Sequence, residues 1–571
     1  MRAMKLRFFG ALGLTVTLAA YACTSEESAS SAVTSAGTGG IGGAASGGAG
    51  GGAGGELPTP ASFCEEKGLT VRPFDAAGPT GSLRHDKAAD FTLPLLDLTT
   101  WTLSEEYSGC ESYVFLTNAR SNSALDKASL WERDVDQLIA KSPTNAHYFF
   151  VAARVAADAS TELTALQGRI DAALAALEPA VAEHWRARLH VVGKHYTELD
   201  GWLRDIVASP DLGRGGFAID RRQEVRLLGH FADVTRYKKA LNDAGEWPWE
   251  SNLAYATHEV RRYNYEATRD EKLAQEDATV VTAFGKGEVL KFVVESEVAF
   301  PTAAQLEKFD TLELDLTMDC PDAAKGEFGN CGAWDYISNI DLWEEGTQSW
   351  RELARFITTY HREGRYIVDL TPMLAFLKDG GVRKLRYVVS PEWNQQAYAT
   401  VMDFRFSNRN KGYRPTSAVF LYAGGGFNKG YNLAHAPMDV DVPATAKRVE
   451  VWGVLTGHGM DSFNCAEFCR HQHHFTVNAK TYLKDHATVG QDEGCIEQIE
   501  NGMVPNQGGT WWFGRGGWCP GQQVDPFVFD VTADVKAGQK ASVSYKATLN
   551  NKEPPDNAGN IVLNSYLVFY E

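Results

Sequence analysis

Three short segments hold residues whose types and spacing could do chemistry. In the first, Cys320 and Cys331 bracket a polar loop, Pro321 to Asn330, and Gly332-Ala333-Trp334-Asp335 then runs into a strand. If the two cysteines pair, the backbone before Asp335 loses freedom. That suits a general acid/base that must stay within hydrogen-bond reach of a water and a scissile group. An ordinary loop-end aspartate is the plain alternative. In the second, Cys465-Ala466-Glu467-Phe468-Cys469 sets Glu467 between two cysteines, and a bridge across so short a loop would display the carboxylate on a rigid turn. Zinc could instead bind these cysteines with His471, His473 and His474. Exported cysteines tend to be oxidised, however, and a strand would put His474 on the face opposite His471 and His473. No metal and no cofactor are expected. In the third, Trp511 to Gly521, glycines permit close backbone approach, tryptophans offer flat faces and Arg515 offers fixed donors for a developing oxyanion. This reads as a binding loop, with a Gly-rich turn carrying core tryptophans as the alternative. Gly424-Gly425-Gly426 lacks the Gly-Lys-Ser/Thr of a phosphate loop, and no Gly-x-Ser-x-Gly nucleophile elbow is present.

The elements that must position these groups begin after an export signal. Arg2, Lys5 and Arg7 precede an apolar stretch from Phe8 to Ala20, and small residues before Cys23 offer a cleavage point. Residues 1–22 are therefore expected to be a signal peptide. Acylation of Cys23 would make the chain a cell-envelope lipoprotein, with plain secretion as the alternative. Residues 23–61 collapse to Gly, Ala, Ser and Thr and read as a tether, spanning on the order of 30 to 35 Å. Beyond Cys23, eight cysteines remain for an oxidising compartment, and neighbouring pairs are expected: Cys64 with Cys110, Cys320 with Cys331, Cys465 with Cys469, Cys495 with Cys519.

Residues 62–275 read as a mixed α/β accessory domain. Leu163, Leu166, Ile170, Leu174 and Leu177 form one helical stripe, interrupted by Pro179. Runs at Phe91–Pro94, Tyr113–Leu116 and His147–Val151 read as strands, with helix after Ser123. The order faintly resembles a thioredoxin-like domain, but the turn Asn118 to Ser123 holds no cysteine, which disfavours redox chemistry. From about residue 276 the period becomes two, as in Leu312, Leu314, Leu316 and Met318, giving half-buried antiparallel sheet. Two β-sandwiches are expected, 276–408 and 409–571, joined near Ser407 to Thr416. The net charge of −18 excludes a nonspecific nucleic-acid binder. The 14 Trp, 21 Tyr and 28 Phe suit flat apolar surfaces such as sugar rings, beside their usual core role.

At these residues the chain resembles the peptide:N-glycosidase F family, exported bacterial amidases that release N-linked glycans from asparagine. Cys465-Ala466-Glu467-Phe468-Cys469 and Arg515-Gly516-Gly517-Trp518-Cys519-Pro520-Gly521 are similar to that family's Cys-Ala-Glu-Trp-Cys and Arg-Ala-Gly-Trp-Cys-Pro-Gly, and Cys331 to Asp335 precedes them in the right order. With Arg355–Thr358 and Val368–Thr371, the resemblance covers about residues 280–571. It implies two adjacent jelly-roll-like sandwiches with the active site between them. Asp335 would be the principal acid/base and Glu467 its partner through a bound water. Arg515 would touch the amide or first GlcNAc, and His458 would line the site. Trp334, Trp393, Glu392 and Trp518 would complete the substrate contacts. Thr456 stands where the family has tryptophan, Tyr336 where it has arginine, and Glu392 lies one position off the family's Glu-x-Trp.

The implied reaction is hydrolysis of the β-aspartylglucosaminyl amide, turning asparagine into aspartate. N-glycosylated proteins or glycopeptides would be the partners, the chain a monomer, and a lipid anchor its sole membrane contact. The departures motivate an alternative, a glycan-binding lipoprotein without turnover. A copper monooxygenase reading fails because only the clustered histidines offer ligands.

Overall fold

The computed structural model describes residues 63–118, 130–209, 216–226, 251–393, 396–459 and 465–571. The signal peptide, Cys23, the tether and most of the Asn118 to Ser123 turn lie outside the described residues. Among the described residues no helix is long and apolar enough to cross a membrane.

The period-two segments form two antiparallel sandwiches. In the first, one sheet runs Gly364–Asp369, Thr311–Asp319, Ala397–Ser407, Ala278–Lys291. Its mate runs Gln522–Gln523, Ser349–Ile357, Ile337–Glu344, Gly380–Val388, Val293–Thr302. In the second, Pro415–Gly426, Asn560–Tyr570, Arg448–His458 and Phe527–Asp530 face Met438–Asp441, Lys540–Leu549, His471–Val477 and Lys480–Asp485. The strand set changes between Ser407 and Pro415, but Gln522–Gln523 returns to extend a sheet of the first sandwich.

The seam between the sandwiches is core. Trp452, Val454, Trp518, Tyr566 and Val568 of the second pack into the cluster built on Leu312, Leu314, Leu316, Phe356 and Tyr387 of the first. Arg355, fully buried, crosses this seam. Its guanidinium pairs with Glu352 at 2.7 Å and donates to the Thr456 hydroxyl at 2.7 Å and the Val562 carbonyl at 2.8 Å. A buried cation satisfied on every side fixes relative placement more than it adds net stability.

Residues 63–226 contribute a five-stranded sheet in the order Leu189–His195, Ala146–Ala152, Ser112–Thr117, Gly216–Ile219, Val225–Arg226. The first three strands are parallel and the last two antiparallel. Helix Ala159–Ala175 buries Leu163, Leu166, Ile170 and Leu174 of the expected stripe but ends before Leu177, which lies outside it and is half-buried. Pro179 opens a new helix, Pro179–Arg186, rather than merely ending the old one, since its fixed φ suits a first helical position. Thr92–Pro94 pairs with Thr100–Thr102 in a two-stranded ribbon, and the next residue, Leu95, bridges to Val192 of the five-stranded sheet.

The expectation of half-buried sheet fails at Thr311–Asp319, where Glu313 and Asp315 are as buried as the leucines between them. The cause is helix Ser251–Gln275, whose last turns lie against this sheet. Arg365 pairs with both Asp315 (2.6 Å) and Asp270 (3.0 Å), and Arg405 donates to the Leu273 carbonyl at 2.9 Å. The start of the same helix enters another core. Leu253, Tyr255 and Val260 cluster with Val114 and Tyr148 of the α/β sheet and with Ile496, Ile499, Trp511 and Trp512 of the last segment. Arg362 ties the junction, donating to Glu259 at 2.5 Å, Glu327 at 3.0 Å and the Pro505 carbonyl at 2.6 Å.

Candidate active site

Asp335 and Glu467, one from each sandwich, meet on a single guanidinium. Arg515 Nε donates to Glu467 Oε1 at 3.0 Å, and its Nη2 lies 3.6 Å from Asp335 Oδ2. The remaining donors go to the Phe513 carbonyl (3.1 Å) and the Thr510 hydroxyl (3.2 Å). Arg515 is 1% exposed and lies between the rings of Phe468 and Trp518, 5.1 and 5.0 Å from their centroids. The two carboxylates keep 16% and 12% of their side-chain surface open, so solvent reaches the acids and not the cation beneath them.

Local chemistry explains each placement. The four disulfides join the neighbouring cysteines expected: Cys64–Cys110, Cys320–Cys331, Cys465–Cys469 and Cys495–Cys519. The Asp335 segment is held beyond its staple. Thr358 donates its hydroxyl to the Trp334 carbonyl at 2.6 Å and accepts the Tyr336 N–H at 2.7 Å, while the His361 N–H bonds the Gly332 carbonyl at 2.7 Å. On the other side three loops clasp. Gly457 N–H donates to Gly516, Gly516 N–H to Glu467 (both 2.7 Å), and Glu467 N–H to Gly459 (3.2 Å). A Cβ on Gly457 or Gly516 would run into the Ala466 carbonyl and the His471 ring, so glycine is required at both.

Burial pushes both carboxyl groups above their usual range, the effect being reduced by Arg515 and, for Asp335, by a hydrogen bond from Tyr360. Asp335 additionally raises Glu467, as like charges do at close range. Tyr360 is itself pushed up by burial and by Asp335, so it stays a phenol able to donate. His458 is pushed down to about 3 by burial and by the Arg355 charge, and stays neutral. It stacks on Trp518 at 5.3 Å and is hydrogen-bonded to the Thr456 hydroxyl at 2.8 Å. Thr456 thus links His458 to Arg355.

The expected contact residues divide by exposure. Trp334 and Trp393 are 52% and 77% exposed. Trp393 meets Tyr336 edge-on at 5.2 Å, and Trp334 meets Tyr360 at 6.5 Å, forming an aromatic wall beside the acids. Glu392 is exposed on the same loop. Trp518 is 6% exposed, with its indole N–H on the Gly457 carbonyl at 2.8 Å, and it supports Arg515 and His458 from below. The segment read as a binding loop turns its tryptophans inward. Trp511 and Trp512 are core because the helix Ser251–Gln275 covers them. Sequence reasoning missed Tyr360, which has no motif around it.

Behind the Glu467 turn, His471 and His473 share the inner face of strand His471–Val477, as alternation requires, while His474 points outward and is only half-buried. His486, beyond the paired strand, joins the first two.

The fold and site define a double β-sandwich that holds an acid pair at its seam. The family model for "Peptide-N-glycosidase F, C terminal" matches residues 426–568. The chain is 25% identical over 288 residues to peptide-N(4)-(N-acetyl-beta-D-glucosaminyl)asparagine amidase F of Elizabethkingia miricola, covering 47% of this chain and 75% of that protein. Among solved structures, that of a peptide-N(4)-(N-acetyl-beta-D-glucosaminyl) asparagine amidase aligns at 19% identity and TM-score 0.41, over 52% of this chain and 96% of the other. PNGase F from Flavobacterium meningosepticum aligns at 18% and 0.40, with the same coverage. The likeness to peptide:N-glycosidase F proteins thus falls on the C-terminal part of the chain, with the family model confined to residues 426–568.

Proposed function

We propose that the protein hydrolyses the amide bond joining an N-linked glycan to asparagine, leaving aspartate on the peptide. The observation that carries this reading is the meeting of Asp335 and Glu467 on Arg515, beside the aromatic wall of Trp334, Tyr336 and Trp393. Asp335 acts as base. A carboxylate whose affinity for protons is raised by burial takes the proton of a water more readily than a solvated one. The water oxygen adds to the amide carbonyl, and the Tyr360 phenol and the Arg515 field stabilise the oxyanion. The C–N bond then breaks as the nitrogen receives a proton from the acid pair. The products are the aspartate and a glycosylamine, which sheds ammonia in water. Trp334 and Trp393 supply flat faces for the sugars next to the scissile bond.

A defined glycopeptide incubated in ¹⁸O-water tests the reaction. Heavy oxygen in the new aspartate supports it. A glycan released from a peptide that keeps a GlcNAc, or bound and never released, refutes it. Binding without release would favour the non-catalytic glycan binder, a reading motivated by Arg515 already occupying both carboxylates.

The finer organisation is proposed with it: an exported monomer, anchored by a lipid on Cys23, held off the membrane by its tether and acting on glycoproteins or glycopeptides. Residues 62–275 would form a thioredoxin-like accessory domain. The central parallel strands Ser112–Thr117 and Ala146–Ala152, next to an antiparallel hairpin, support that topology.

A further inference from the structure

We infer that His471, His473 and His486 bind one divalent transition-metal ion of the zinc class, set in the second sandwich behind the turn that carries Glu467. The three histidines each offer a ring nitrogen within 4.8 Å of the others. Strand alternation turns His471 and His473 to the same inner face. His486 follows Asp485, the partner of Gln472 in the adjacent strand, and its N–H bonds the His471 carbonyl at 3.3 Å, which sets its ring against theirs. Ring centroids lie 4.6 Å apart for His471 and His486, and 4.9 Å apart for His471 and His473.

Three further observations point to a ligand. His473 Nδ1 is hydrogen-bonded to the Tyr545 hydroxyl at 2.7 Å, and Tyr545 to the Tyr431 hydroxyl at 2.8 Å. A ring anchored through one nitrogen presents the other, the outer-shell arrangement that metal-binding imidazoles use. That other nitrogen, Nε2, faces His471 Nδ1 at 2.7 Å. His486 Nε2 is buried with no hydrogen-bond partner. The cluster also lacks any carboxylate, and a purely imidazole set selects zinc, copper or nickel over calcium or magnesium. Zinc would hold the three nitrogens at a radius of roughly 2.0–2.1 Å.

The position gives the ion a task. His471 lies against the Ala466 carbonyl, beneath the glycines that clasp Glu467. Fixing His471 from behind stiffens the turn that presents the acid. The ion has no part in the reaction proposed above, and the site stands whether or not the chain cleaves glycans.

The test uses the full mature chain without a histidine tag, stripped with a chelator, reloaded with Zn²⁺ or Co²⁺ and desalted. Elemental analysis should return about one zinc per chain, the stoichiometry of a single buried site. Cobalt should give the visible bands of a low-coordinate imidazole complex, and zinc should raise Tm. His473→Gln and His486→Gln should each weaken zinc retention at least tenfold, whereas His474→Ala should leave it unchanged. Circular dichroism and disulfide mapping show whether each variant is folded. If one fails to fold, the wild-type cobalt spectrum and Tm shift decide by themselves. Folded wild-type protein that retains no zinc, shows no cobalt bands and has no Tm shift overturns the assignment, as does equal retention in folded His473→Gln and His486→Gln.

Discussion

Replacing Arg515 by methionine removes a charge while keeping a side chain that can lie between Phe468 and Trp518. At 3.6 Å from Asp335 and 3.0 Å from Glu467, and with an effective dielectric of about 20, the guanidinium attracts the two carboxylates by roughly 4.6 and 5.5 kcal/mol at most. That is a ceiling of roughly 3–4 pH units on each group, and an opposite charge at this range typically lowers a carboxyl pKa by about 1–3 units. The sign follows from the proposed role. The base must be ionised, so activity is lost as pH falls through its pKa. Without Arg515 burial is opposed less strongly and that pKa rises, so the loss of activity on acidification sets in at a higher pH. The acid limb of kcat/KM for release from a glycopeptide should therefore move up by about 1–3 units in Arg515→Met and largely return in Arg515→Lys. Circular dichroism and Tm establish that the variants are folded. A folded Arg515→Met enzyme whose rate drops but whose acid limb stays put would show that the cation does not set the ionisation of the acids.

Asp335→Asn should lower kcat by about 10²–10⁴-fold with glycopeptide binding retained, measured by single-turnover release against calorimetric binding. Trp393→Ala should raise KM with little change in kcat, because a largely exposed ring contacts substrate and transition state alike. Trp511→Ala should destabilise by about 3–5 kcal/mol in denaturant melts, although it lies outside the acid pair, because it empties a fully buried indole position. Cys465→Ser with Cys469→Ser should reduce kcat more than stability, since so short a loop restrains little of the unfolded chain while it holds the turn at Glu467.

The features legible in the sequence are those encoded locally. Cysteine spacing marked the turns that hold Asp335 and Glu467, and alternation marked the strands and the shared face of His471 and His473. Partners that arrive from distant segments left no local trace. Tyr360 reaches Asp335 only because Thr358 ties the end of one strand to the start of another. His486 enters its cluster through the register of a hairpin. Glu313 and Asp315 look like solvent-facing positions until the helix Ser251–Gln275 lies across them. The tryptophans of the last Gly-rich segment were ambiguous for the same reason, since what covers them is encoded more than 230 residues upstream.

That helix also limits how the chain can be trimmed. A recombinant piece beginning at residue 276 would keep both sandwiches and both acids, yet it would leave Trp511, Trp512, Ile496 and Ile499 facing water and Arg362 without its buried Glu259. Such a piece would be sticky and slack around Arg515. The sequence ahead of residue 276 is therefore less a passenger than a fitted cover for the sandwiches.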